Sequence, residues 1–354
     1  MLPYFGNGGA EHMVSLLASH LNLEQVEPRV FCVYGKPQGN GMESAVLEHG
    51  VGITYIEKGL GFSVGALRRL GRELSAFSPD VVHTHLSSCL YCAPWCVLHG
   101  VPMLHTIHNI PEMEAASRFR RTLMRLLYCS GRAIPVAISK TNQHLTSVLY
   151  NLPDKAVEMV LNPVDTSTFF PGDLRRNNSE YDVISVGRLD RQKNQKMLLD
   201  ALRSVAFIHK DVRMALVGDG PLDNELKDYV NNNGLQNNVS FLGLRDDVAE
   251  LMRRSKVFVL SSDFEGLPLS MLEAMSVGLP IVSTRVGGIP DVVDGNGLLV
   301  DAGDAKALAA ALCGLLENEK KREVMSKRSL ELSRQYDVNT VAQSYEELYV
   351  QYAK

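Results

Sequence analysis

An α/β fold built on doubly wound parallel sheets is predicted by three features of the sequence. Short apolar runs rich in β-branched residues recur along the chain, among them residues 183–186, 214–217, 257–260 and 281–283. None alternates apolar with polar, as a strand buried on both faces of a parallel sheet need not. Turns containing Gly or Pro follow these runs, and stretches of helical period follow the turns, which is the βαβ pattern. A length of 354 residues is enough for two such domains.

Composition narrows the function classes. A hydrophobic share of 45% and a charged share of 21% are those of an ordinary globular protein. A formal net charge of −4 argues against nucleic acid as the main partner. No run approaches the roughly 20 apolar residues that span a bilayer. The start, MLPYFGNGG, has neither the basic segment nor the long apolar core of a signal peptide, so a cytoplasmic location is expected. Six cysteines fit a reducing compartment. Cys89, Cys92 and Cys96 share one helix face, and apolar neighbours assign them to a core rather than to a metal.

In chain order, residues 1–5 read as the tail of a first strand, and Asn7 to Glu11 as a Gly-rich turn. Residues 12–23 read as an amphipathic helix carrying Met13, Leu16, Leu17 and Leu21. Strands follow at 29–33 and 52–56, and a helix at 64–77 bears Arg68, Arg69 and Arg72. Residues 80–85 and 103–109 are strands that end in His83, His85, His105 and His108. Four histidines invite a metal, but no carboxylate joins them at ligand spacing. Residues 112–132 interleave Arg118, Arg120, Arg121, Arg125 and Arg132 with Phe119, Leu123, Met124, Leu126 and Leu127. Such a basic amphipathic helix either lies on an anionic membrane or packs on its own domain. A strand and turn at 136–140 precede a linker expected at about 163–180, where Gly, Asp, Arg, Asn and Ser gather.

The second half opens with a buried strand at 182–186, ended by Gly187 and Arg188, with Lys193 five residues on. Two cations beside a strand end suit a diphosphate, Arg as a fork and Lys as a point charge. Residues 214–221 end in a Gly-x-Gly turn that lacks the third glycine of a dinucleotide fingerprint, which disfavours a dehydrogenase. A strand at 239–243 leads to residues 244–247, which open the next helix. Strands at 280–284 and 297–300 close the sheet, and helical segments at 302–334 and 336–354 close the chain.

Residues 257–275 are the most informative stretch. A buried strand feeds a tight loop with Glu265 and Gly266, then a helix with Pro268 at its first position and Glu273 inside it. The first amides of a helix lack internal partners and sit at its positive dipole end, so they attract phosphate. Gly266 permits close approach, and Leu267, Leu269 and Ser270 have amides to donate. Carboxylates beside an anion site have a use if they accept hydrogen bonds from hydroxyls. Glu265 and Glu273, eight residues apart, would then grip sugar and ribose on either side of a diphosphate, the layout of a nucleotide sugar.

The Glu265-x7-Glu273 pair resembles the signature of retaining glycosyltransferases of family 4, which have the GT-B fold. The resemblance extends over nearly the whole chain. Gly8-Gly9-x-Glu11 is similar to the family's turn after its first strand, and Gly187-Arg188-Leu189 with Lys193 to its diphosphate-binding segment. Asn162 to Asp165, followed by Phe169 and Pro171, resembles its inter-domain segment. Two departures stand out. The family's first strand begins several residues earlier, and Pro163 replaces a glycine, which excludes a positive φ there.

The resemblance implies GT-B architecture: two Rossmann-like domains facing a cleft. Residues 1–163, with a closing helix at about 337–354, would form an N-terminal acceptor-binding domain, and 164–336 a C-terminal domain for the nucleotide-sugar donor. It implies catalytic roles for His108, Arg188, Lys193 and Glu265. Gly8, Gly9, Arg188, Lys193, Glu265, Gly266, Leu267, Leu269, Ser270 and Glu273 would bind the donor, and His85 is a candidate for the acceptor side. The implied activity is a retaining, hexosyltransferase-type transfer from a UDP-sugar to a glycan or lipid-linked acceptor in cell-surface polysaccharide synthesis. Residues 112–132 would touch the inner face of the membrane. No Asp-x-Asp motif occurs, so neither metal nor cofactor is expected. A covalent intermediate and front-face attack remain open, as do a GT-B epimerase and a nucleotide-sugar-binding protein without transfer.

Overall fold

The computed structural model describes residues 1–6, 8–59, 63–115, 117–172 and 179–353. Asn7 of the Gly-rich turn and residues 173–178 of the expected linker lie outside them. The chain forms two compact units, one of Met1–Pro163 with Val338–Lys354 and one of Val164–Asp337.

In the first unit the strands are β1 (Arg29–Tyr34), β2 (Gly52–Lys58), β3 (Val82–His85), β4 (Met103–Ile107), β5 (Ala133–Ala137) and β6 (Glu158–Met159). The helices are α1 (Gly9–Ala18), α2 (Gly41–Glu48), α3 (Val64–Phe77), α4 (Cys89–His99), α5 (Pro111–Glu114), α6 (Arg118–Cys129) and α7 (Lys140–Tyr150). Strand β1 pairs with β2, and β3 to β6 follow one another, all parallel.

The first strand expected at 1–5 is reduced to one bridge, Leu2 to Cys32. Leu2 N–H donates to Phe31 O at 2.9 Å, and Val33 N–H to Leu2 O at 3.0 Å. On the other side the Met1 amino group donates to His83 O at 2.8 Å, and His85 N–H to Met1 O at 3.1 Å. Residues 1–3 thereby join the two sheets. Pro3 has no N–H to donate, though its carbonyl still accepts from Tyr34 N–H at 2.6 Å. Helix α1 begins at Gly9, earlier than the hydrophobic period indicates, because Gly8 takes the extended N-cap conformation. The basic stretch 112–132 is two helices, not one. Ala115 leaves helical geometry (φ −108°, ψ 55°), and Ser117 caps α6 by accepting from Arg120 N–H. The three cysteines of α4 are buried in the unit's core beside Met103, Leu70 and Tyr128.

The second unit is more regular. Its strands are β7 (Tyr181–Val186), β8 (Met214–Val217), β9 (Val239–Gly243), β10 (Ser255–Leu260), β11 (Ile281–Thr284) and β12 (Gly297–Val300). Its helices are α8 (Gln195–Ile208), α9 (Asp223–Asn232), α10 (Val248–Arg253), α11 (Leu269–Ser276), α12 (Ala305–Leu316) and α13 (Glu319–Ser333). The parallel sheet runs β12-β11-β10-β7-β8-β9. Val183, Leu216, Val257 and Val259 from the strands pack with Leu198 and Leu202 of α8 and Leu308 and Leu312 of α12. Each such aliphatic side chain contributes about 1.5–3 kcal/mol on burial. The strand order reverses between β7 and β10, and in such sheets ligands sit beyond the carboxyl ends of the strands at that switch point.

The stretch at 164–170 belongs to the second unit and is not a free linker. Val164 N–H donates to Tyr336 O at 2.7 Å, and the Ser276 hydroxyl to Phe169 O at 2.6 Å. The last helix, α14 (Val338–Tyr352), packs on the first unit, burying Val341, Ala342, Tyr345 and Leu348.

Candidate functional site

At the switch point of the second unit, the loops after β7 and β10 meet. Lys193 Nζ lies 2.5 Å from Glu265 Oε1, and the Ser262 hydroxyl donates to the same oxygen at 2.6 Å. Gln192 Nε2 donates to Phe264 O at 3.0 Å and stands 3.5 Å from Glu265 Oε2. Glu265 is buried, and a buried carboxylate is tolerable only when paired and hydrogen-bonded, as here. The two loops are stitched further: Asp263 N–H donates to Gln192 O, Asn194 Nδ2 to Asp263 Oδ1, and the Ser261 hydroxyl to the carbonyls of Lys193 and Asn194. A third loop holds Glu265 from behind. Gly288 N–H donates to Gly266 O at 2.7 Å. Gly287 has φ +53°, and a Cβ there would stand 1.7 Å from Glu265 O, so only glycine fits.

Helix α11 starts at Leu269, one residue later than the sequence implies. Pro268 is the extended N-cap and not the first helical residue. Leu269 and Ser270 supply the first helical amides, and the Ser270 hydroxyl ties the helix to Val186 O at the end of β7. Leu267 is buried beside them. Glu273 is buried within α11, and burial pushes its carboxyl up to about 7.

The cations differ from the expected arrangement. Lys193 faces Glu265 as an ion pair and so is not an uncommitted phosphate ligand. The Arg188 side chain is 66% exposed, 3.7 Å from Asp190. Its carbonyl is held by Gln195 Nε2 at 2.8 Å.

In the first unit the histidines gather at the ends of β3 and β4. His85 Nδ1 and His108 Nε2 share a hydrogen bond of 2.8 Å. Glu114 Oε2 accepts from His108 N–H at 2.9 Å, and Glu114 Oε1 lies 3.4 Å from His105 Nε2. Burial drives the His108 ring down to about 4, so it is neutral at physiological pH. Burial likewise holds His83 and His85 well below the usual range. Burial alone would raise Glu114, but the contact and charge of His105, with Arg120 nearby, bring its carboxyl below the usual range. His83 is clamped between Tyr349 of α14 at 2.8 Å and Thr106 at 2.7 Å. Among the described residues no group of three or more His, Cys, Asp or Glu is arranged to hold a metal.

Gly8 caps α1, and Gly9 opens it. A Cβ on Gly8 would stand 2.4 Å from Glu11 Oε2, so the Glu11 carboxylate folds back to the helix start. The negative charge beside Gly8 is therefore the chain's own, at the dipole end where the sequence implied a phosphate. On α6, Arg120 and Arg121 donate to the carbonyls of Leu86 and Ala115, and Met124, Leu127 and Tyr128 are buried. Arg118, Arg125 and Arg132 stay exposed with Phe119 and Leu126. No described helix is long and apolar enough to cross a membrane.

The structure thus gathers Lys193, Glu265, Gly266, Leu267, Leu269 and Ser270 around one strand–helix junction, with Glu273 farther along α11 and Arg188 turned outward. Gly8, Gly9 and His108 belong to the other unit. Sequence reasoning missed Ser262, Gln192, Glu114 and the structural part played by Gly287. Only Gln192 carried a signal, as the neighbour of Lys193.

Comparison with known proteins agrees with this layout. Residues 7–168 match the family described as Glycosyltransferase Family 4, and residues 167–331 match Glycosyl transferases group 1. The chain is 30% identical over 273 residues to the Escherichia coli UDP-Gal:alpha-D-GlcNAc-diphosphoundecaprenol alpha-1,3-galactosyltransferase, covering 70% of this chain and 69% of that protein. It is 28% identical over 283 residues to the N-acetyl-alpha-D-glucosaminyl L-malate synthase of Bacillus anthracis, covering 76% and 74%. Among solved structures, the Anabaena protein Alr3699/HepE in complex with UDP-glucose superposes with a TM-score of 0.85 at 22% identity, over 99% of this chain and 98% of that one. The chain belongs to the group 1 and family 4 glycosyltransferases and has their GT-B fold.

Proposed function

We propose that this glycosyltransferase moves a hexose from a UDP-sugar to a glycan or lipid-linked acceptor in cell-surface polysaccharide synthesis, with retained anomeric configuration and without a metal. The observation that carries the reading is the Lys193–Glu265 pair at the head of α11. Ser262 and Lys193 occupy one oxygen of Glu265, and the other, approached by Gln192 Nε2 at 3.5 Å, keeps a lone pair to accept from a sugar hydroxyl. A carboxylate so engaged suits a hydrogen-bond acceptor better than a nucleophile, which favours front-face attack over a covalent intermediate. The leaving diphosphate takes its neutralisation from Lys193, from Arg188 swung in from solvent, and from the amides of Gly266, Leu267, Leu269 and Ser270. These are donors aimed where negative charge grows. Glu273 then meets the ribose hydroxyls, and neutral His108 a hydroxyl of the transferred sugar. Gly8 and Gly9 keep the chain close to the donor phosphates once Glu11 yields its place. On this reading residues 164–336 bind the donor, and residues 1–163 with the closing helix bind the acceptor. The Escherichia coli relative is named for both a UDP-sugar and a diphosphoundecaprenol acceptor, which supports a similar pairing here. Exposed Arg118, Phe119, Arg125, Leu126 and Arg132 support peripheral contact with an anionic cytoplasmic membrane face.

A panel of UDP-, GDP- and ADP-sugars tests the reading by donor hydrolysis in the presence of EDTA. UDP-sugars should be consumed, and the first-formed sugar should keep its anomeric configuration. Turnover of GDP- or ADP-sugars alone, or turnover abolished by EDTA, would overturn the donor or the metal-free assignment.

A further inference from the structure

His85 ends β3, and His108 follows the adjacent strand β4 in the same sheet. Their facing nitrogens, His85 Nδ1 and His108 Nε2, are 2.8 Å apart, and the ring centroids are 5.1 Å apart. At that separation one proton lies between them, so the tautomer of one ring dictates that of the other. The His85 ring is itself fixed. It packs against His83 at 4.2 Å, which Thr106 and Tyr349 clamp, and its backbone N–H is held by Met1 O and the Ser88 hydroxyl. The backbone of His108 is anchored by Glu114. Among the described residues no protein group bonds Nδ1 of His108.

We propose that His85 is the positioning residue for His108: by occupying Nε2 it holds the ring so that Nδ1 is the nitrogen offered to a substrate hydroxyl. This rests on the sugar-facing role given to His108 above. The pair has two neutral arrangements. With the proton on His85 Nδ1, His108 carries its own proton on Nδ1 and donates to the ligand. With the proton on His108 Nε2, Nδ1 is bare and accepts. A hydroxyl serves either arrangement, since it both donates and accepts. A side chain at position 85 that cannot bond Nε2 would free the ring to turn and to mix tautomers.

Nitrogen-15 NMR of histidine-labelled protein reads this without substrate, with the His108 signals assigned through His108→Gln. The ring of His108 should show one tautomer with a hydrogen-bonded Nε2. In His85→Ala that signature should give way to mixed, solvent-exchanging tautomers. UDP-glucose hydrolysis, read as kcat/KM, should fall about tenfold, as expected for one net hydrogen bond. His85→Asn places an amide near the position of Nδ1 and should restore both readings. An unchanged His108 signature in His85→Ala, or an altered signature with unchanged hydrolysis, would overturn the proposal. If the wild-type protein hydrolyses no nucleotide sugar, the functional reading fails instead, and the NMR comparison still decides whether His85 positions His108.

Discussion

Glu265 and Lys193 lie 72 residues apart in sequence and meet at 2.5 Å. Removing either leaves the other charged and without this partner in a mostly buried place, and on the proposed reading also removes a contact to the donor. Glu265→Ala and Lys193→Ala should each lower donor turnover at least about a hundredfold, the usual effect of losing one preorganised electrostatic contact to the transition state. Near-normal steady-state rates in either variant would refute its role. Glu273 offers a test by pH. Its carboxyl is raised from 4.5 to about 7, so the folded protein holds a proton there that the unfolded chain has released. Stability must then fall as pH rises from 4.5 to about 7. Glu273→Gln carries no charge at any pH. By about 1.4 kcal/mol per pKa unit, it should be about 3 kcal/mol more stable than wild type near pH 8, the gain vanishing near pH 4. Urea unfolding at the two pH values reads this directly, and equal stability near pH 8 would contradict it.

Among the elements, the loop after β11 does work that no residue type announces. Gly287 presses against the carbonyl of Glu265, with a backbone that other residues adopt only under strain. Gly287→Ala should destabilise the protein by at least about 2 kcal/mol and shift Glu265. A crystal structure of the variant, with its thermal midpoint, checks both effects, and an undisturbed Glu265 would sink the claim. Helix α6 shows the converse, a strong sequence pattern that the fold partly absorbs. Two of its arginines bond the unit's own backbone, and the face left outward carries Arg118, Phe119, Arg125 and Leu126. Flotation with anionic vesicles should recover the protein at low salt and lose it as salt screens the charges. Replacing Phe119 and Leu126 by serine should weaken recovery, and no recovery of wild type at low salt would remove the membrane contact.

In the molecule as a whole, the six-stranded sheet of the second unit reverses its order between β7 and β10, and the Lys193–Glu265 pair lies in the loops at that reversal, while the histidine pair lies at the carboxyl ends of β3 and β4. The strands at 214–217, 239–243 and 297–300 and the helix at 64–77 were legible because their patterns are local: apolar runs beside glycines, or a 3.6-residue period. The Glu265–Glu273 spacing was legible for the same reason, since a loop and the helix that follows it carry both residues. Charge partners were not legible. Nothing along the chain says that Lys193 spends its charge on Glu265, that Glu11 folds back to Gly8, or that Glu114 supports the histidines. Composition and periodicity alone already specify α/β units and the neighbourhood of the candidate donor site, because backbone geometry responds to residues a few positions away. The pairing of buried charges, the protonation of His108 and Glu273, and the demand for glycine at 287 arise only when distant strands bring loops together. Burial and Coulomb interaction depend on distance in space, and sequence separation does not encode it.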